Sequence, residues 1–325
     1  MKVSVCVPTY CRPRQVAELL NNLIAQKAAP DEVVIVDASP DEKTREVVGE
    51  ASPHFQNMIY DRHKKGLTSQ RNRAIDLATG EILVFLDDDV RLASEFLHET
   101  RRIFGQDMTG EIAGITGILV NHLPKSPGFG WKLKRLLRIV ETDRPGCFLA
   151  CGETTPLPRP RRGELTQVDF LPGGVTAWRK SIFKEFRFSH FFHGYGLGED
   201  KYFSSCVSRR FHLYVSGDLE ASHFHISGNR PNHFRMGFFN VYNHYFLMRE
   251  CSQGRLKTTR FLLYHLIDAG NEIFSSPFRK QPGQTLFYGL GRIAGILKCL
   301  LNPPVMGPDD PAWINKNTIA NNQLK

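Results

Sequence analysis

The sequence predicts an α/β fold in which strands and helices alternate, followed by a helical C-terminal extension. Three observations carry this expectation. Over the first third of the chain, short apolar runs alternate with segments whose apolar residues recur at helical spacing. The run Ile82-Leu83-Val84-Phe85-Leu86 reads as a buried strand and ends in Asp87-Asp88-Asp89, where open α/β sheets bind ligands. From Asn229 to Leu301, ten Lys and Arg against three Asp and Glu interleave with aromatic and aliphatic clusters, a basic amphipathic composition.

The elements follow in order. Val3 to Val7 is a short strand closed by Pro8-Thr9-Tyr10. Pro13 starts a helix with Val16, Leu19, Leu20, Leu23 and Ile24 on one face, and Pro30 ends the connection. Val33 to Val36 forms a second strand with Asp37 at its tip, and Met58-Ile59-Tyr60 forms a third. Thr68 or Ser69 is expected to cap a helix carrying Ala74, Ile75, Leu77 and Ala78, which Gly80 stops before the acidic strand. Each strand tip then feeds one edge of the sheet. Farther on, Gly198-Glu199-Asp200 opens a helix with Phe203, Cys206 and Val207 on its buried face, and Leu213 to Ser216 is a strand followed by His223 and His225.

Alternation across the strand end places Asp87 and Asp89 on one face and Asp88 on the other. Three clustered anions repel one another, and a hard divalent cation with phosphate oxygens would neutralise them; a polar loop capping the next helix is the plainer alternative. No Gly-x-Gly-x-x-Gly or Walker loop follows the first strand, so phosphate binding would rely on metal and basic side chains. Asp37 suits either a ribose or base N–H, or a cap on the turn at Ser39-Pro40. Arg71 can reach a phosphate from its helix, or serve as a surface residue.

The chain has 325 residues, 41% hydrophobic and 23% charged, which excludes a disordered polypeptide. Its net charge of +9 implies an anionic partner. Seven scattered cysteines without a Cys-x-x-Cys pair, and a Met1-Lys2-Val3-Ser4 start without a secretory pattern, lead to the expectation of a cytoplasmic location. No stretch of about 18 uninterrupted apolar residues occurs, so no spanning helix is expected.

Together, Val5-Cys6-Val7-Pro8-Thr9-Tyr10, Val34-Ile35-Val36-Asp37, Gly66-Leu67 with Arg71-Asn72, Gly80-Glu81 leading to Asp87-Asp88-Asp89, Leu171-Pro172-Gly173-Gly174 and Gly198-Glu199-Asp200 resemble the family 2 glycosyltransferases with the GT-A fold. The resemblance spans about residues 1 to 230. It implies a Rossmann-like mixed sheet flanked by helices and transfer from a nucleoside-diphosphate sugar. Pro8, Thr9, Tyr10 and Asp37 would hold the nucleoside, Asp88 the ribose, and Arg12, Arg71 and Asp87 the rest of the donor. Asp89 would ligate Mn²⁺ or Mg²⁺, with His223 or His225 completing the site. Asp200 resembles the catalytic base of an inverting transfer, at a helix N-terminus that favours its charged form. Glu199 would bind the acceptor or support the residues that do, and Gly173 and Gly174 would let backbone approach the sugar or else mark an ordinary turn.

The Gln-x-x-Arg-Trp motif and membrane spans of the processive synthases are missing from the sequence, so addition of one or a few sugars is expected. The expected division is a nucleotide-sugar half at 1–120, an acceptor half at 121–230 with a basic insertion at 124–163, a helical extension at 231–302 and a tail at 303–325. The insertion holds Trp131-Lys132-Leu133-Lys134-Arg135-Leu136-Leu137-Arg138, suited to a lid, a membrane-touching helix or a surface excursion. The extension suits peripheral contact with an anionic inner membrane face or packing on the core. A glycan or lipid-linked acceptor is favoured, and no nucleic acid partner is expected. The rivals are a nucleotidyltransferase and a non-catalytic adaptor that binds polyanions or membranes.

Overall fold

A computed structural model describes residues 1–122, 128–192, 196–224, 232–251 and 257–312. His225, most of the Pro124–Gly128 stretch and the tail beyond Ala312 fall outside them. In chain order the main elements are β1 (Val3–Thr9), α1 (Pro13–Ile24), β2 (Glu32–Asp37), α2 (Lys43–Ala51), β3 (Met58–Arg62), α3 (Leu67–Leu77), β4 (Ile82–Leu86), β5 (Val90–Leu92), α4 (Phe96–Gln106), β6 (Ile112–Leu119), α5 (Phe129–Leu136), β7 (Leu165–Val168), β8 (Val175–Arg179), α6 (Glu199–Val207), β9 (His212–His223), α7 (His233–Cys251), α8 (Lys257–Ser275) and α9 (Pro282–Leu301).

The chain divides into two compact units. The first comprises Met1–Leu123, Leu157–Ile226 and the segment from Pro308. Its sheet runs β3-β2-β1-β4-β8-β6-β9-β5, with β7 paired to β9. β1, β2, β3 and β4 are mutually parallel, whereas β8 runs antiparallel to β4 and β6, so the sheet is mixed as expected. β1, β2 and β4 are buried along their whole length because helices cover both faces, which is why they read as unbroken apolar runs. Val3, Val5 and Val7 pack with Val16, Leu19, Leu20 and Leu23 of α1 on one face. Cys6, Leu83 and Phe85 pack on the other with Ala74, Ile75 and Phe203.

Several local expectations are revised. β1 continues through Pro8 and Thr9, which pair only with β2; β4 has left the ladder at Cys6, so the N–H that proline lacks is not missed there. Helix α3 starts after Gly66, at φ 153°, without a Thr68 or Ser69 cap. It ends at Leu77, so Gly80 is not its stop. Glycine is needed at 80 for space: a Cβ there would lie 2.6 Å from Ser4 Oγ and 2.7 Å from Ser4 N. β9 runs twelve residues, three times the predicted strand, and carries His223 as its last residue.

The second unit comprises Pro124–Pro156 and Ser227–Gly307. Helices α7 and α9 meet backbone to backbone, since a Cβ on Gly237 would collide with the Tyr288 carbonyl and one on Gly291 with that of Phe234. Val241, Met248, Phe261 and Ile296 form its apolar centre with Ile139 and Leu149. A polar network is buried beside it. Lys134 Nζ donates to Asp268 at 2.5 Å and sits 3.4 Å above the Tyr264 ring, while Arg292 Nη1 donates to His265 Nδ1 at 2.8 Å.

As an acceptor from arginine, His265 must be neutral, and burial together with the Arg292 and His244 charges holds its pKa well below the usual 6.5. The unfolded chain therefore binds one more proton than the folded chain below pH 6.5, and this contribution is lost as pH falls, by up to about 1.4 kcal/mol per pH unit. The melting temperature is expected to drop from pH 7.5 to pH 5. His265→Gln, which keeps an acceptor for Arg292, should flatten that slope. Parallel profiles for the two proteins would contradict the assignment.

Candidate active site

The carboxyl ends of β1, β4 and β9 and the start of α6 build one site within the first unit. After Leu86 the chain leaves the strand for a turn closed by Val90 N donating to Asp87 O at 3.1 Å. This turn, rather than strand alternation, separates the three carboxylates. Asp88 is buried toward β1: its Oδ2 accepts from Thr9 Oγ1 at 2.7 Å and its Oδ1 from Arg12 Nη1 at 2.8 Å. Burial pushes its pKa up to about 6 against the pull of Arg12 and Thr9. Arg12 also lies 3.3 Å from Asp89 Oδ2.

Asp87 and Asp89 turn the other way, toward the end of β9. His223 Nε2 is 2.8 Å from Asp89 Oδ1, and the ligand atoms of Asp87, Asp89 and His223 all lie within 4.8 Å of one another. Two carboxylates and an imidazole are a donor set for a divalent cation that keeps open positions for phosphate oxygens. Gly174 borders this group, where a Cβ would stand 3.1 Å from Asp87 Oδ2 and 3.6 Å from His223 Nδ1. Asn121 fixes His223 through reciprocal bonds: its Oδ1 accepts from His223 N at 3.0 Å and its Nδ2 donates to His223 O at 2.9 Å. His122 stacks on the same imidazole.

Arg71 connects the acidic turn to α6. Only 2% exposed, it donates through Nη1 to Glu199 Oε1 at 2.6 Å and through Nη2 to Gly173 O at 2.9 Å, with Asp87 Oδ1 at 3.4 Å. Its Nε is buried without a hydrogen-bond partner. Burial raises the Glu199 pKa to about 8; Asp200 adds to the rise and Arg71 opposes it. Asp200 is the second residue of α6, whose N-cap Gly198 sits at φ 89°. Its Oδ2 accepts from Gly173 N at 2.9 Å and its Oδ1 from Lys201 N at 2.8 Å. The space beside Gly173 is filled by Arg71 and Glu199.

Thr9, Arg12, Arg71, Asp87, Asp88, Asp89, Gly173, Gly174, Glu199, Asp200 and His223 thus form one connected set. Asp37 stands apart. Fully buried, it accepts from Ser39 N at 2.9 Å and Ser39 Oγ at 2.5 Å through Oδ1, and from Tyr60 OH at 2.9 Å through Oδ2. This is the turn-capping geometry, and a nucleoside base would compete with Tyr60 or Ser39 for it. Pro8 is buried in β1, and the Tyr10 ring carries the Lys65 ammonium 3.7 Å above its centroid. Gln70 was not singled out in the sequence, yet its Nε2 donates to Thr9 O at 2.8 Å and to Val36 O at 2.9 Å, holding the tips of β1 and β2 together. Asn121 and Tyr60 were missed as well. Their partners are distant in sequence, so no local pattern marks them.

The profile of the family described as "Glycosyl transferase family 2" matches residues 4–186. Among curated relatives, a poly(ribitol-phosphate) beta-glucosyltransferase of Bacillus spizizenii is 27% identical over 39% of this chain and 21% of its own length. A GalNAc(5)-diNAcBac-PP-undecaprenol beta-1,3-glucosyltransferase of Campylobacter jejuni is 29% identical over 29% of this chain and 31% of its own. The chain therefore spans a fifth to a third of the length of these relatives. Among solved structures, the mannosyltransferase PcManGT of Pyrobaculum calidifontis, in complex with GDP-Man and Mn²⁺, aligns over 100% of this chain and 81% of its own with a TM-score of 0.53 at 16% identity.

Proposed function

The chain belongs to glycosyl transferase family 2, and we propose that it moves a sugar from a nucleoside-diphosphate donor to a hydroxyl of a glycan or lipid-linked acceptor, with a divalent cation and inversion at the anomeric carbon. The acidic turn and the start of α6, joined through Arg71 at one sheet edge, carry this reading. Asp87, Asp89 and His223 would hold Mn²⁺ or Mg²⁺. Such a cation would neutralise charge developing on the departing diphosphate. Asp88, held by Thr9 and Arg12, faces the nucleoside end in the arrangement the family resemblance implies, with Pro8, Tyr10 and Asp37 nearer the base.

Asp200 is the proposed base that takes the acceptor hydroxyl proton. Glu199 lies next to it but is buried, with Oε1 tied to Arg71 Nη1 at 2.6 Å, which makes it a poor nucleophile. A single displacement through Asp200 follows, and with it inversion. The Campylobacter relative is named for an undecaprenyl-diphosphate-linked saccharide, which supports an acceptor of that class.

The reading is tested with a panel of uridine, guanosine and thymidine diphosphate sugars and an undecaprenyl-diphosphate saccharide, following the leaving group and the product anomer by NMR. Release of nucleoside diphosphate and an inverted anomer are expected. Retention would overturn the single displacement, and pyrophosphate release from a triphosphate would replace the transferase with a nucleotidyltransferase.

A further inference from the structure

The chain carries a second surface with its own chemistry, on the helices of the second unit. On α9, Phe287, Leu290, Leu297 and Leu301 are exposed and recur at helical spacing. On α8, Leu263, Leu266 and Phe274 do the same, and Phe278 is exposed in the turn that follows. Exposure reaches 81% at Phe274, 89% at Phe278 and 86% at Leu301, values at which a soluble surface leaves large apolar side chains wholly in water. The opposite sides of both helices are in use. Gly289 abuts Ala269 and Ile273, Arg292 reaches Glu272 and His265, and Gly291 and Gly295 face α7. These contacts set α8 and α9 antiparallel, and helical periodicity then puts both apolar stripes on the same side of the pair.

Charge identifies the occupant. Of the exposed residues from Lys257 to Leu301 none is acidic, whereas Arg279, Lys280 and Lys298 are all exposed. Asp268 and Glu272, the acids of α8, are turned inward onto Lys134 and Arg292. By sequence the second unit holds sixteen Lys and Arg against six Asp and Glu, so the surplus positive charge of the whole chain resides in it. No helix among the described residues is long and apolar enough to cross a membrane. We infer that the α8–α9 face lies flat on an anionic phospholipid surface, with Phe274, Phe278, Phe287 and Leu301 entering the acyl boundary and Arg279, Lys280 and Lys298 meeting the headgroups. A second copy of the chain would fit less well, because it would set like-charged basic residues against one another.

The test is flotation of the full chain with vesicles of phosphatidylglycerol and phosphatidylethanolamine or of phosphatidylcholine alone, without donor, so that its outcome is separate from that of the transfer assay. Binding to the anionic vesicles, weakened by salt and at least about tenfold in Phe274→Ser/Phe278→Ser, is expected. Lys280→Glu/Lys298→Glu, which leaves the apolar stripe intact, should weaken binding to anionic vesicles while sparing any binding to neutral ones. Circular dichroism and melting must match wild type for either variant to be read. Failure to bind, binding unchanged in both variants, or a dimer in analytical ultracentrifugation that the phenylalanine variant dissolves would overturn the inference.

Discussion

Asp200→Asn is expected to lower kcat by roughly 10²- to 10⁴-fold while leaving donor affinity nearly unchanged. The substitution keeps the size of the side chain and an oxygen for the Gly173 N–H, at the cost of the bond from Lys201 N, so the start of α6 should hold its geometry with a modest loss of stability. What disappears is the acceptor of the hydroxyl proton. A loss confined to donor Kd, with kcat intact, would instead assign Asp200 to donor binding.

Arg71→Met is expected to destabilise the first unit by about 3–5 kcal/mol, the usual cost of removing one partner from a buried ion pair. Arg71 is the buried cation that touches Glu199, Asp87 and the Gly173 carbonyl at once. Its loss would leave Glu199 buried beside Asp200 without compensation. Adding Glu199→Gln should therefore recover part of the lost melting temperature. If the double variant is as unstable as the single one, packing rather than charge accounts for the effect.

How much of this was legible in the sequence depends on the range of the interaction. The parallel strands β1, β2 and β4 and helix α1 show in local patterns because burial on both faces produces unbroken apolar runs and one-sided helices. The acidic turn was legible for the same reason, as a polar cluster abutting a core strand. Helix α3 was misread at both ends: a glycine at positive φ opens it, and Gly80 serves close packing on Ser4. The place of Asp87 in the metal-ligand group was obscured because it depends on β9, more than a hundred residues away, and on Asn121 pinning the end of that strand. Arg71 could be suspected from the family motif, but its burial against Glu199 is a tertiary fact. The apolar face of α8 and α9 is visible as composition, and only the fold separates its exposed stripes from the buried ones.

The most direct measurement of the central claim is release of nucleoside diphosphate from a donor panel by the full chain, with and without Mn²⁺ or Mg²⁺, for wild type, Asp89→Asn and Asp200→Asn side by side. The account predicts cation-dependent turnover of one donor by wild type. Asp89→Asn should lose turnover together with cation-dependent donor binding, and Asp200→Asn should lose turnover alone. Equal turnover in excess chelator, or full activity in Asp89→Asn, would contradict it.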